Sequence, residues 1–192
     1  MLINTNCQLS ETIKSMKNLK SIAAAFVILV ASAFTTANSI NWKIADGYSI
    51  KFTSKDPSGV FTKFRGDIVF DEHNLSASKF DVAVDVSSIN TGNGMKNKKA
   101  KGETFFDVER YPEIKFTSNK FSKAVAGYEV KGILDMHGVK KEITIPFTFI
   151  NNTFAGSFVV NRLDYNVGPE KGMAGHAAKE LKIEISVPVT KQ

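Results

Sequence analysis

From Trp42 onward, apolar and polar residues alternate with a period of two, the spacing of a strand with one face in a core and the other in water. Phe80, Val82, Val84 and Val86 interleave with Lys79, Asp81, Ala83 and Asp85. Tyr48, Ile50 and Phe52 alternate with Ser49, Lys51 and Thr53, and Ile143, Ile145, Phe147 and Phe149 with Glu142, Thr144 and Thr148. Leu181, Ile183, Ile185, Val187 and Val189 continue the rhythm against Lys182, Glu184, Ser186 and Pro188. Further strands are predicted over residues 60–70, 114–121, 128–134 and 153–160, about eight in all. Turn-forming clusters separate them: Asp56-Pro57-Ser58-Gly59, residues 71–76, Ala126-Gly127, His137-Gly138 and Asn151-Asn152. Pro146 and Pro188 fall on the outward set, where a missing N–H fits an edge, a bulge or a strand end. Many short strands at even spacing predict an all-β antiparallel barrel or sandwich.

Two stretches break the rhythm. Residues 91–112 are polar, basic and helix-tolerant, while residues 164–179 are glycine-rich and carry Met173 and His176. Both are longer than a hairpin needs, and long loops on a rigid β scaffold are where function concentrates.

With the apolar set turned inward, the interior is lined by Phe, Ile, Val and Leu. A barrel of this size is either filled by its own side chains or holds one small ligand. Gly66, Gly132 and Gly156 fall in phase with the inward residues, which either leaves room on the inner wall or marks bulges. An apolar cavity suits a chain-like lipid, because burial of apolar area is non-directional.

Composition narrows the function classes. The chain has 192 residues, 43% hydrophobic and 23% charged, which suits one domain with a sizeable core. Lys14, Lys17 and Lys20 precede a short apolar run over residues 22–30 and then small residues, the order of a secretory signal peptide. The run is too short for a membrane span of about 20 residues. Cleavage is expected after Ala37, with Ala33 as the alternative, leaving one barrel domain over residues 38–192. Met16 opens a complete signal start, so residues 1–15 read as an upstream mis-start. The sole cysteine, Cys7, lies in the discarded segment, so the mature chain has neither disulfide nor thiolate. The net charge of +6 falls further without the leader, and most lysines alternate singly with apolar residues, which argues against a nucleic-acid partner.

Catalytic signatures are absent from the pattern. His73, His137 and His176 sit in separate turns without metal-site spacing, and there is no nucleophile elbow, phosphate loop or inward carboxylate pair. Asp81, Asp85 and Asp135 fall on the outward phase. Only Tyr48, Thr62 and Ser118 are polar in the inward set, so an enzyme is not expected, nor a metal or cofactor. The one dense basic group, Lys96, Lys98, Lys99 and Lys101, reads either as a solvated connection or as ammonium groups that meet an anionic head group at a barrel mouth.

The stretch FFDVERYPEIKFTSNKF from Phe105, followed by KGILDMHGVKKEITIPFTF from Lys131, resembles the YceI-like family of exported lipid-binding proteins. VSSINTGN from Val86 and NRLDYNVG from Asn161 resemble further segments of it, in the same order. The resemblance implies a lipocalin-like antiparallel barrel whose lumen holds a polyisoprenoid or similar long-chain amphiphile, such as a quinone, prenyl phosphate or fatty amide. Phe105, Phe106 and Tyr111 would then belong to a loop folded back on the barrel end, either closing the core or touching ligand. The family often carries a His-Ser pair on its first strand and a second histidine soon after, where this chain has Tyr48-Ser49 and Lys55. Those departures bear on the ligand's head group and leave the barrel unaffected.

The expected lumen residues are Phe52, Phe64, Phe70, Phe80, Val82, Val84, Phe116, Leu134, Ile145, Phe147 and Phe158, with the four lysines as head-group candidates. The expected function is transport, storage or sequestration of a long-chain isoprenoid or other apolar lipid in the periplasm or outside the cell. The alternative is an envelope interaction module with a packed barrel. Monomer and homodimer stay open.

Overall fold

The structure, a computed structural model, describes residues 40–171 and 177–192. The expected leader, the upstream start, Cys7, Met173 and His176 lie outside the described residues. The elements run β1 (Asn41–Ile44), β2 (Ser49–Thr53), β3 (Gly59–Phe61), β4 (Phe64–Val69), β5 (Lys79–Asp85), β6 (Ile89–Asn90), α1 (Gly94–Lys101), β7 (Glu113–Ala124), β8 (Gly127–Met136), β9 (Val139–Ile150), β10 (Thr153–Asn161) and β11 (Glu180–Lys191). Hydrogen bonding follows the order β1-β4-β5-β7-β8-β9-β10-β11, and β11 returns to β1 through Ile44↔Val189 and Trp42↔Lys191. This is a closed, eight-stranded antiparallel barrel of the lipocalin-like kind, with one short α-helix among the described residues. Closure leaves no free sheet edge in that ring, which is how small all-β folds avoid edge-to-edge pairing.

One predicted strand is broken in two and another is preceded by a separate short strand, each for an identifiable reason. The predicted strand at Tyr48 to Thr53 is β2, and β1 precedes it. Both pair with β11, but residues 45–48 lie opposite only Val187 and Pro188, and Gly47 takes φ 88° in the surplus. Pro188 has no N–H for a ladder and sits at that bulge, where its carbonyl accepts from Ala45 N at 2.9 Å. The stretch over 60–70 is β3 plus β4, split at Thr62 and Lys63. There the Ser88 hydroxyl accepts from both amides at 3.1 Å, while Tyr48 Oη donates to the Thr62 carbonyl (3.0 Å) and accepts from Phe64 N (3.2 Å). Side chains thus replace the missing ladder bonds.

Pro146 ends a ladder too. The β9–β10 pairing runs from Thr153↔Ile150 to Gly156↔Phe147 and stops beside it. The turns His137-Gly138 (φ 52° and 75°) and Asn151-Asn152 (φ 51° and 55°) are left-handed at both positions, as two-residue hairpins of right-twisted strands require.

Gly66 and Gly132 mark close backbone approach, not room in the lumen. A Cβ on Gly66, where φ is 141°, would collide with the Asp81 carbonyl, and one on Gly132 would collide with the Thr117 carbonyl beside the bulge between Ser118 and Lys120. Ser118 itself is used there, its hydroxyl accepting from Phe80 N at 2.8 Å.

One end of the barrel is a solid aromatic floor. Phe70, only 1% exposed, is surrounded by Phe80, Phe121, Tyr128, Phe147, Phe149 and Phe154 at ring separations of 5.1 to 6.3 Å. Trp42 closes it from β1, donating Nε1–H to the Phe70 carbonyl at 2.9 Å. Edge-to-face pairs of this kind add to the area they bury.

At the other end Tyr165, buried at 3% exposure, carries a hydroxyl whose pKa is raised above 10.0 first by burial and then by Asp164. A raised value means the neutral form is favoured by folding, so its contribution is fully present below about pH 10 and lost as pH rises past the folded value. Urea midpoints at about pH 9 and about pH 11 should therefore fall more for the parent than for Tyr165→Phe. Equal losses would contradict that assignment.

Candidate functional site: an apolar lumen with a cationic rim

Above the aromatic floor the barrel encloses a cavity of about 380 Å³. Ten of the eleven lumen candidates are on its wall: Phe52, Phe64, Phe80, Val82, Val84, Phe116, Leu134, Ile145, Phe147 and Phe158. Phe70 is not. Its phase points inward, but it follows the last residue of β4, at the level where aromatic rings occupy the whole section. Sequence phase gives the face a side chain takes, not its height along the barrel axis.

The wall residues carry the mark of an unfilled interior. Val82, Phe158, Ile183 and Ile185 face inward yet are only half-buried, in contrast to Phe70 in the floor. In a packed core all would be near zero exposure. Gly156, across the β10–β11 ladder from Ile185, lies on the wall too, but a Cβ there would stand 2.9 Å from the Pro146 carbonyl oxygen, so it also marks close backbone approach. The three inward polar residues contribute nothing to the wall, since Tyr48, Thr62 and Ser118 are bonded to backbone at the strand breaks.

The rim is built by three segments. In the first, Asn93 caps α1 by accepting from Lys96 N at 3.1 Å, which fixes where the helix starts. Backbone bonds from Phe105 N to Gly102 O (2.9 Å) and from Phe106 N to Ala100 O (3.0 Å) then fold the chain back over the lumen. Phe105 and Phe106 line the cavity, Phe106 lying 6.3 Å from Phe61. Tyr111 goes elsewhere, packing 4.4 Å from the His137 ring and over Gly138 at the β8–β9 turn. Of the four candidate lysines, Lys96 and Lys99 reach the wall and Lys98 and Lys101 do not. Lys96 pairs with Asp56 of the second segment at 2.6 Å, an exposed pair of small energetic value. Lys99 Nζ stands 5.5 Å from the Phe105 ring centroid.

The third segment contains a residue that sequence reasoning missed. Arg162, 4% exposed, lines the cavity and donates from Nε to Ala178 O (3.1 Å), from Nη1 to Val167 O (2.7 Å) and from Nη2 to Pro169 O (3.0 Å) and Ala177 O (3.1 Å). These bonds gather the loop after β10 around one guanidinium. Burial pulls its pKa below the usual arginine value, but a guanidinium stays protonated at neutral pH. The signal was available: Arg162 continues the even-numbered inward phase of Phe154, Gly156, Phe158 and Val160.

Among the described residues no group of three or more His, Cys, Asp or Glu side chains comes together. Asp85 accepts from Ser87 N and pairs with Lys63, and Asp135 pairs with Lys140 at 3.7 Å, all on the outer face. No helix among the described residues is long and apolar enough to cross a membrane.

Comparison with known proteins agrees with this geometry. The model of the YceI-like domain matches residues 33–189, from before the first strand to the end of the last lumen-facing run. The chain belongs to the YceI-like family. A UPF0312 protein of Vibrio parahaemolyticus is 32% identical over 174 residues, covering 84% of this chain and 87% of that one. Among solved structures, BcnA of Burkholderia cenocepacia superposes with a TM-score of 0.71 at 27% identity, over 77% of this chain and 99% of that one. A polyisoprenoid binding domain from Saccharophagus degradans shares the fold, with a TM-score of 0.56 at 14% identity over 80% of this chain and 98% of that one.

Proposed function

We propose that this protein is an exported carrier or store that holds one long-chain isoprenoid or similar amphiphile in its lumen, tail toward the aromatic floor and head toward the rim. The observation that carries the reading is the apolar cavity of about 380 Å³, on whose wall Val82, Phe158, Ile183 and Ile185 are left only half-buried. The polyisoprenoid binding of the Saccharophagus domain supports the class of ligand, and the leader read over residues 1–37 supports export to the periplasm or beyond. The mechanism is binding alone: apolar area leaves water, at about 0.8 kcal/mol per methylene before entropic costs.

That mechanism makes affinity depend on chain length. Across geraniol, farnesol and geranylgeraniol, binding should tighten roughly tenfold or more per isoprene unit until the lumen is full. Competition against a fluorescent polyene alcohol would measure it. Affinities that ignore chain length, or no binding at all, would favour an interaction module that uses the barrel only as a scaffold.

A further inference from the structure

The ring of strands is closed, but two of its seams are paired for only part of their length. The β9–β10 ladder stops at Gly156↔Phe147, and in that register Ser157, Phe158, Val159 and Val160 would continue opposite Pro146, Ile145, Thr144 and Ile143. They are not paired. Each strand is held from its other side instead, β9 by β8 as far as Met136↔Val139 and β10 by β11 as far as Asn161↔Glu180. Pro146, whose carbonyl lies toward Gly156, has no N–H with which to carry the ladder on. The second partial seam is β1–β4, with Asn41↔Val69 and Trp42↔Ile68 in register.

The two openings differ in what lines them. Residues 143–161 contain no charged side chain, so both edges of the unpaired β9–β10 stretch are uncharged there. Ile145, Phe158 and Val160 on those edges belong to the cavity wall, and Val159 is 62% exposed on the outer lip. The β1–β4 groove is bordered instead by Lys43, Asp46, Arg65, Asp67 and Lys79, and the Tyr48 hydroxyl bridges its end to the Thr62 carbonyl and Phe64 N. An apolar chain crossing there would strip water from charges. Along the barrel axis, aromatic rings fill the floor, while backbone bonds hold Phe105 and Phe106 over the lumen and four carbonyls tie the loop after β10 to Arg162. The upper end of the β9–β10 opening is crossed by Lys141, whose Nζ lies 3.5 Å from Asp164 and 5.8 Å from the Tyr165 ring centroid in the turn after β10. An exposed ion pair of that kind adds little, so it parts at small cost.

Resting on the lumen-binding reading above, we propose that the unpaired stretch between β9 and β10 is a lateral portal through which an apolar chain enters and leaves the lumen, with Lys141 as its clasp. Parting these edges breaks no ladder bond, whereas entry past the rim displaces segments that are hydrogen-bonded in place. The unpaired N–H and C=O groups along the edges make the opening a poor resting place for an apolar chain, so it serves passage and not storage. A group that only gates a path changes capture and release by the same factor and leaves the affinity as it was.

The test follows capture and release of all-trans-retinol, a fluorescent polyene alcohol, by stopped flow on the protein from residue 38 onward, which contains no cysteine. Thr144→Cys with Val159→Cys puts thiols on two exposed positions that face each other across the opening, and a short bis-maleimide joins them. Lys43→Cys with Asp67→Cys, joined in the same way across the β1–β4 groove, is the control. Each pair is measured before and after linking, which separates the link from the substitutions. The β9–β10 link should slow capture and release roughly tenfold or more with the dissociation constant unchanged, the control link should alter neither rate, and Lys141→Gln should speed both. Parent rates in the linked protein, or equal slowing by both links, would overturn the portal and leave the lumen reading intact. Unchanged rates in Lys141→Gln would overturn the clasp. A parent protein that binds no retinol would remove the lumen reading, and the portal with it.

Discussion

Phe70→Ala is expected to lower the unfolding free energy by about 3–5 kcal/mol, the range for truncating a fully buried phenylalanine. The side chain is 1% exposed and touches six aromatic rings, so its removal leaves a void that the barrel floor can close only by shifting several strands together. Against a typical total of about 5–15 kcal/mol, that is a large fraction. Phe158→Ala is the control. Phe158 faces the cavity and is half-buried, so it already lacks partner atoms on one side and should cost roughly 1–2 kcal/mol. Urea midpoints with unchanged slopes would give both values. Equal losses for the two variants would mean that floor and lumen are packed alike.

Ile185→Trp is expected to abolish ligand binding while leaving the fold in place. Ile185 is half-buried on the cavity wall and pairs with Gly156 on one side and Ile50 on the other, so a larger side chain has space where Gly156 offers none of its own. In a well-packed core the same enlargement costs typically about 1–3 kcal/mol. Here the stability change should stay under about 1 kcal/mol, because the indole fills a void and gains contacts. The affinity for geranylgeraniol should drop at least tenfold. A stable variant that binds as before would place the ligand outside the lumen.

The barrel was legible in the sequence because a period of two is a direct consequence of the pleat, and Phe80 to Val86 or Leu181 to Val189 obey it without interruption. The break between β3 and β4 was not, since it depends on side chains far away in sequence. Ser88 and Tyr48 bond the backbone at Thr62, Lys63 and Phe64, and nothing in the alternation of those residues announces it. Gly66 and Gly132 were ambiguous for the same reason: whether a glycine widens a lumen or lets two backbones approach depends on the neighbouring strand.

The wall of the site was legible as a face, which is why Phe70 could be assigned inward but not to the floor. Height along the axis follows from barrel stagger, which strand phase does not contain. The basic run at Lys96 drew attention by density alone, and only Lys96 and Lys99 reach the wall. Arg162 was overlooked because it stands alone, after the predicted strand over 153–160 had ended. Extending that strand's phase by one step places it inward.

The central claim, that the lumen is a binding site for one apolar chain, is tested most directly by native mass spectrometry of the mature protein purified from its own cell envelope, followed by solvent extraction and lipid identification. The account predicts a stoichiometric adduct that dissociates on unfolding and is identified as a long-chain isoprenoid or related amphiphile. A protein that comes from the envelope at its bare polypeptide mass, and stays at that mass after incubation with such lipids, would contradict it.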